Sequence, residues 1–261
     1  MPELHTLPLK QPRYGSNRLG FSVTVLLLLA YGLPYSQPLF SAMFPALPRP
    51  VYLQEPMAHL MWQHIGLVLL SSSIAVILAT LAGLATTWES GRTLKPLMET
   101  LAGMGQTFPP VAILAVAVPA VGFGELPALI ALTIFGVLPV LQATLAGLAS
   151  VPPPVLDSAR AMGMAPRHIL TEVQMPLALP LWLAGVRTSV VVNIGTAAIA
   201  STVGAKTLGL PIIVGLSGFN TAYVLQGAMM VGLLAIAADL AFDWLALILH
   251  GHATSTVDDQ A

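Results

Sequence analysis

The sequence predicts an all-α, polytopic membrane protein with about six transmembrane helices. Of its 261 residues, 56% are hydrophobic and only 8% are charged, whereas about a quarter of the residues of a soluble domain are charged. Long apolar runs recur along the chain, and a helix needs about 20 predominantly apolar residues to cross the hydrocarbon core of a bilayer. The lipid bilayer is therefore the expected surrounding of most of the chain.

Composition also argues against several classes of function. The formal net charge is −1, and no run of Lys and Arg interleaved with aromatic residues is present, which argues against nucleic-acid binding. Cysteine is absent, so the chain has no disulfide framework, no thiolate metal site and no cysteine nucleophile.

The first third of the chain predicts a tail and two spans. Residues 1–18 are a polar, basic tail, and the first span at 19–40 is expected to be uncleaved because no clear Ala-x-Ala site follows the apolar run. A proline-rich loop at 41–63 leads to the second span at 64–86. The serine cluster 71–73 in this span can hydrogen-bond within its own helix or to a neighbouring helix.

The middle of the chain predicts an interrupted third span. Residues 97–120 contain Glu99 and the pair Pro109-Pro110, so one uniform apolar helix is not expected. We expect a helix broken near Pro109, which is tolerated in a membrane where the break faces other helices rather than lipid. The fourth span follows at 127–148.

The last third predicts two further spans on either side of a broken segment. The fifth span, 177–200, contains Arg187. Residues 201–223 are too rich in glycine for one long helix and too apolar for a simple loop, which indicates a partly re-entrant segment. The sixth span, 224–249, precedes a polar C-terminal tail, 250–261.

The basic residues predict the orientation. With six spans, seven Lys and Arg residues fall on one side and two on the other, and loops rich in Lys and Arg are cytoplasmic. Both tails and the loop 149–176 are therefore expected in the cytoplasm, in a multi-pass protein of the inner or plasma membrane. The seven are Lys10, Arg13, Arg18, Arg92, Lys95, Arg160 and Arg167, and the two are Arg49 and Lys206.

No pattern of catalytic or cofactor-binding residues is found. The string from Gly204 to Thr207 lacks the Gly-Lys adjacency and the upstream glycine of a P-loop, so the chain is not expected to bind ATP itself. There is no Gly-x-Ser-x-Gly elbow, and the six histidines do not form a metal pattern. We expect neither enzymatic activity nor a cofactor.

Arg187 and Asp239 are expected to form an ion pair inside the membrane. Each lies about ten residues from the cytoplasmic end of its span, and hence at a depth of about 15 Å. An unpaired charge there costs at least about 2.5 kcal/mol. Asp243, four residues after Asp239 and nearer the interface, can snorkel to water or to the lipid headgroups. The alternative is that the two aspartates form the proton relay of a secondary transporter.

The loop 149–176 is the one long polar segment between apolar blocks. Residues 157–164 predict a short helix, which Gly163 and Pro166 are expected to end. A second short run, 167–173, leads to Pro176, where the chain is expected to turn back to the membrane. Small side chains in the first helix would let another protein approach closely, so the loop predicts a lever between a membrane helix and a partner. The small residues are Ser158, Ala159, Ala161 and Gly163.

The spacing of this loop resembles the EAA loop of ABC importer permeases. The motif has an acid-Ala-Ala start, a glycine six residues on, and a hydrophobe-x-hydrophobe-Pro ending, although here an aspartate and a serine replace the usual first two residues. The matching positions are Asp157, Ser158, Ala159, Gly163, Val173, Met175 and Pro176. The resemblance covers roughly residues 60–249 and implies the type I ABC importer permease fold for the transmembrane permease domain, residues 19–249.

The same resemblance implies a docking site for a separate ABC ATPase subunit, which would hydrolyse the ATP. Asp157, Ser158, Ala159 and Gly163 would form the coupling helix, and Pro176 would end the motif. Arg160 and Arg167 are expected at the rim of this contact, or else are simply cytoplasmic positive charges.

Two further strings, 177–189 and 193–205, are similar to the permease subunit of osmoprotectant importers, which carry glycine betaine, choline or carnitine. This implies a second permease subunit and an extracytoplasmic substrate-binding protein as partners. Lys206 adds a charge by the outer mouth, where the family commonly has glycine. Four residues would lie by the translocation path: Asn193, Gly195, Gly204 and Lys206.

Three alternatives remain open at this point. The chain could be the permease of another ABC importer, of the methionine or oxyanion type. It could instead be a proton-coupled secondary transporter that uses Asp239 and Asp243. A membrane scaffold without transport activity is the third alternative, but it would leave the broken spans unexplained.

Overall fold

The computed structural model describes residues 14–87, 93–104 and 109–258, and all regular elements in these ranges are helical. The predicted all-α class is confirmed. Turns of 3₁₀ helix occupy Leu33–Ser36 and Ile199–Val203. In chain order the longer elements are α1 (Tyr14–Gly32), α2 (Gln37–Met43), α3 (Met57–Ala85), α4 (Lys95–Met104), α5 (Pro110–Val121), α6 (Glu125–Ala149), α7 (Pro153–Ala161), α8 (Pro166–Ala197), α9 (Leu210–Ser217) and α10 (Thr221–Asp258).

Within the described ranges, five helical segments are long and apolar enough to cross a membrane. They correspond to predicted spans one, two, four, five and six, and run over Asn17–Met43, Met57–Ala85, Glu125–Ala149, Pro166–Ala197 and Thr221–Leu249. The last helix continues past its apolar part to Asp258, where the sequence predicted only a polar tail.

The third predicted span consists of two separate helices, α4 and α5. Pro109 precedes α5 with an extended backbone (φ −65°, ψ 129°), because a residue before proline is pushed out of the helical region by the proline ring. The interruption therefore lies where the Pro109-Pro110 pair predicted it. Of the two helices, α5 is the apolar one, and its 12 residues are shorter than the other spans.

The start of span five differs from the expectation. The sequence predicted a turn at Pro176, but α8 is helical from Pro166 onwards and passes through Pro176. Proline lacks an N–H and clashes with the carbonyl four residues before it. The backbone accommodates this with a π-helical stretch, Ile169–Gln174, in which the Met175 N–H bonds five residues back to the Leu170 carbonyl.

Small residues let α3, α6 and α8 pack closely. A Cβ added to Gly83 of α3 would lie 2.5 Å from the Thr144 side chain of α6. On α8, a Cβ added to Gly185 would lie 2.2 Å from the Cβ of Ala143. Close approach through small residues is the usual way in which membrane helices gain contact, because lipid supplies no hydrophobic driving force between them.

The outer end of α8 is capped by side chains from elsewhere in the chain. His64 of α3 is fully buried, and its Nε2 lies 3.0 Å from the Ile194 carbonyl oxygen. The Leu208 N–H donates to His64 Nδ1 at 3.3 Å, so the ring proton is assigned to Nε2, which donates to Ile194. The Thr207 hydroxyl, also fully buried, donates to the Ala197 carbonyl at 2.9 Å. These bonds satisfy carbonyls that a helix end leaves open.

The segment predicted as re-entrant is a 3₁₀ turn followed by the short helix α9, which packs against the beginning of α10. Its backbone reaches the end of α8 at Gly209, where an added Cβ would lie 1.8 Å from the Ala198 carbonyl oxygen. Only glycine fits at this contact.

We expect Gly209→Ala to destabilise the protein by about 1–3 kcal/mol, because the new methyl group must push the backbone away from α8. The measurement is thermal unfolding in detergent. Gly232→Ala in α10 is the control, since a Cβ there meets nothing within 4 Å. Equal unfolding temperatures for the two variants would contradict the contact.

Candidate functional site

A short helix forms in the loop where the sequence predicts the coupling helix, but it begins and ends earlier than expected. The helix α7 covers Pro153–Ala161 rather than residues 157–164. Proline at its first position favours a helix start there. Its end is a Schellman motif, in which the Gly163 N–H bonds to the Arg160 carbonyl at 2.9 Å and the Met164 N–H to the Ala159 carbonyl at 3.2 Å.

Gly163 is the residue that makes this helix end possible. Its φ is +79°, a left-handed conformation that costs other L-residues about 1 kcal/mol or more. Asp157, Ser158 and Gly163 are exposed, as a docking helix requires. Ala159 is only 2% exposed, so its side chain is covered by its own chain, and its part in a partner contact stays a prediction. Its methyl group packs α7 onto the chain itself.

The two arginines of the arm lie beside an open cavity. We use "arm" for residues 150–176. Arg160 is bonded to Asp157 at 3.0 Å on the exposed side of α7, and such a surface pair contributes at most about 1 kcal/mol. Arg160 and Arg167 also line a cavity of about 1510 Å³ between the arm and the C-terminal ends of α3 and α6. Arg160 and Arg167 are both exposed, so both side chains are accessible to solvent or to a partner.

Asn193, expected by the translocation path, lies inside the chain. It is fully buried, and its Nδ2 donates to Ser72 Oγ at 3.1 Å. The neighbouring Ser189 hydroxyl donates to the Gly136 carbonyl at 2.9 Å. These bonds join α8 to α3 and α6, so Asn193 fastens helices together and does not line an open surface. By contrast, Gly195 and Gly204 are exposed.

Lys206 is paired at the outer face. Its Nζ lies 2.6 Å from Glu55 Oε1, which belongs to the loop between α2 and α3. This hydrogen bond lowers the pKa of the Glu55 carboxyl. The stabilisation from the pair is fully present above the ordinary Glu pKa of about 4.3, and it is lost as the pH falls through the lowered value. The charge that the sequence placed at the outer mouth is thus compensated.

The structure brings Arg187 and Asp239 together, at 2.6 Å between Nε and Oδ1. Arg187 Nη1 also bonds Asp243 Oδ1, and the Asp243 side chain is 50% exposed, so this carboxylate is paired and still open to its surroundings. Asp239 and Asp243 are four residues apart and share a helix face, which turns both carboxylates towards α8. One guanidinium with several donors can hold two carboxylates.

Sequence reasoning missed the polar residues that hold the outer loops. Gln226 of α10 is fully buried; its Oε1 accepts from the Tyr52 N–H at 3.0 Å, and its Nε2 donates to the Pro50 carbonyl at 2.6 Å. His64 plays the same part for the segment around Leu208. The available signal was an isolated polar residue within an otherwise apolar helix, which in a membrane requires a partner.

Together these features define a helical membrane protein with the arm at one end and, at the other, a cap held by His64, Thr207 and Gln226. Residues 75–250 match the model of the family described as binding-protein-dependent transport system inner membrane component. The chain belongs to this family, and the predicted permease identity is confirmed.

Curated relatives with similar sequences are osmoprotectant permeases. The osmoprotectant import permease protein OsmY of Salmonella typhimurium is 30% identical, over 95% of this chain and 99% of its own. The choline transport system permease protein OpuBB of Bacillus subtilis is 36% identical, over 68% and 81%. The glycine betaine/carnitine/choline transport system permease protein OpuCB of Bacillus subtilis is 35% identical, over 68% and 81%.

Solved structures show the same fold. A chain of the MetNI methionine ABC transporter in an inward-facing conformation has a TM-score of 0.66 at 19% identity, and covers 76% of this chain and 99% of its own. A chain of an amino acid ABC transporter with histidines has a TM-score of 0.60 at 18% identity, over 82% and 98%. The predicted ABC importer permease fold is confirmed.

We expect Arg187→Leu to reduce the yield of folded protein severely, because it leaves two carboxylates in the membrane without a cation, at about 2.5 kcal/mol or more for each. The measurement is monodisperse protein recovered in size-exclusion chromatography. Arg167→Leu, in the exposed arm, is the matched control. The triple variant Arg187→Leu/Asp239→Leu/Asp243→Leu is expected to recover much of the yield; full yield from Arg187→Leu alone would contradict the role of the ion triad.

Proposed function

We propose that this chain is the permease subunit of an ATP-driven importer for quaternary-ammonium osmoprotectants such as glycine betaine, choline or carnitine. The observation that carries the solute class is the set of relatives at 30–36% identity, which are named for these solutes. ATP hydrolysis belongs to a separate ATPase subunit in this proposal. The methionine transporter supports the fold only, because its identity to this chain is 19%.

The arm supports the ATPase-docking part of the proposal. The helix α7 is short, exposed on one side and held to the chain through Ala159 on the other. Ser158, Arg160, Ala161 and Gly163 present mostly small side chains on the exposed side. A partner groove can therefore receive the helix without displacing it from its own chain.

The helix α8 connects the proposed docking helix to the outer segments of the chain. Only residues 162–165 separate α7 from α8, and α8 then runs as a helix of 32 residues to the outer cap. A displacement of α7 by a closing pair of ATPases would be carried along this helix to Ile194 and Ala197, which bond the outer segments. We propose a rigid-body change between two states of the permease, driven from the arm.

The remaining parts of the assembly follow the same proposal. The chain is a multi-pass inner-membrane protein whose two termini and arm are cytoplasmic, since the Lys and Arg residues concentrate on that side. A second permease subunit, either a copy of this chain or a sister chain, completes the membrane part. A separate substrate-binding protein delivers the solute at the outer face. Asn193 is not included in the path, since it is buried between helices.

Gly163→Asp is expected to abolish solute-stimulated ATP hydrolysis in the reconstituted transporter. The substitution places a side chain on the left-handed C-cap position and adds a negative charge to the docking surface. Gly163→Asn should be milder, because asparagine tolerates this conformation and carries no charge. Thr100→Asp, on exposed α4 outside the arm, is the control. Retention of full stimulation by Gly163→Asp would exclude the arm as the coupling site.

The solute class is tested by uptake into proteoliposomes that contain the permease, its ATPase and its binding protein. We expect ATP-dependent accumulation of radiolabelled glycine betaine, choline or carnitine, with competition among these solutes and none from excess methionine. Accumulation of methionine or an oxyanion alone would identify the alternative importer class. Uptake that persists without the ATPase and follows a proton gradient would favour the secondary transporter.

A further inference from the structure

Gln142 is a polar residue on an open face of span four. It lies in α6 seven residues before Ala149, roughly 10 Å from the cytoplasmic end of the helix. Its side chain is exposed, and it makes no hydrogen bond with any residue of the described ranges. An amide moved from water to an apolar solvent without partners costs about 4–8 kcal/mol. Lipid is therefore an unfavourable neighbour for this face.

The packing of α6 shows where this face points. Thr144, two residues further on, contacts α3 at Gly83, and Ala143 contacts α8 at Gly185. At 100° per residue, Gln142 lies about 160° around α6 from Thr144 and about 100° from Ala143, so it faces away from α3 and to one side of the α8 contact. Gln142 thus lies on the surface of the α6–α8 pair that α3 does not cover.

The helix α8 presents a matching surface on the same side. Trp182 and Asn193 reach α3 through hydrogen bonds to Thr80 and Ser72. Ala184 and Thr188 are exposed and point away from that contact. The Thr188 hydroxyl is satisfied by the Ala184 carbonyl at 2.9 Å. The Gln142 amide is thus the group on this small-residue surface that requires an outside partner.

We propose that Gln142 lines the aqueous solute path and hydrogen-bonds the polar end of the transported solute. The inference rests on the proposed osmoprotectant function. The amide N–H groups suit the carboxylate of glycine betaine or carnitine, and the amide oxygen suits the hydroxyl of choline. An uncharged amide binds such a group without the desolvation cost of a full charge, which favours release on the other side. Ala184 leaves room for the bulky ammonium beside it.

The absence of cysteine from the sequence allows a direct test. Gln142→Cys and Ala184→Cys are made in the complete transporter with its ATPase and binding protein, and are treated with a small, membrane-impermeant, cationic thiol reagent. Ile77→Cys is the control, because Ile77 is 58% exposed on α3, at a comparable depth and on the opposite side of the α6–α8 pair. Assembly of each variant is checked by size-exclusion chromatography.

We expect Gln142→Cys and Ala184→Cys to react at least about tenfold faster than Ile77→Cys, and saturating transported solute to slow the reaction at position 142. Equal rates at all three positions would overturn the proposal. Fast reaction at Gln142→Cys without protection by solute would overturn the solute contact. The wild-type uptake assay separates these results from failure of the proposed function, because it reports solute class without any change at Gln142.

Discussion

The bonds made by His64 hold together the outer half of the molecule. This buried ring joins the Ile194 carbonyl of α8 to the Leu208 N–H of the broken segment. In a bilayer no water is available to satisfy a helix end, so every interrupted helix needs such partners from its own chain. Thr207 and Gln226 meet the same requirement at neighbouring points. The broken segment between α8 and α10 exists because these side chains satisfy its backbone.

The arm and the segments held by His64 are joined by one element, the helix α8. Pro176 could have ended α8, but a π-helical stretch absorbs its missing N–H, and the helix continues unbroken from the arm to the cap. Small residues then lock α8 against α6 and α3. A long helix attached at one end to the proposed docking site and at the other to the segments bonded by His64 is suited to transmit a rigid displacement.

Two groups of charges within and beside the spans are compensated. Arg187 holds Asp239 and Asp243 between α8 and α10, and Lys206 holds Glu55 across two outer segments. Each group joins elements distant in sequence, so these ion pairs hold separate parts of the fold together. Unlike these groups, Gln142 is polar, exposed and unpaired within the described part of the chain. Because of this contrast, we propose that the Gln142 amide contacts the solute and does not stabilise the fold.

The sequence by itself determined the class of protein, the five long spans, the interruption at Pro109-Pro110 and the glycine that stops α7. Each depends on local composition or on the backbone preferences of proline and glycine. Tertiary structure decided which side of each helix is covered. Ala159 and Asn193 are buried, Asp243 joins Arg187, and Gln142 faces outward. These helices are apolar around most of their circumference, so the sequence pattern does not show which side of a helix faces its neighbours. That side is set only when α3, α6 and α8 pack together.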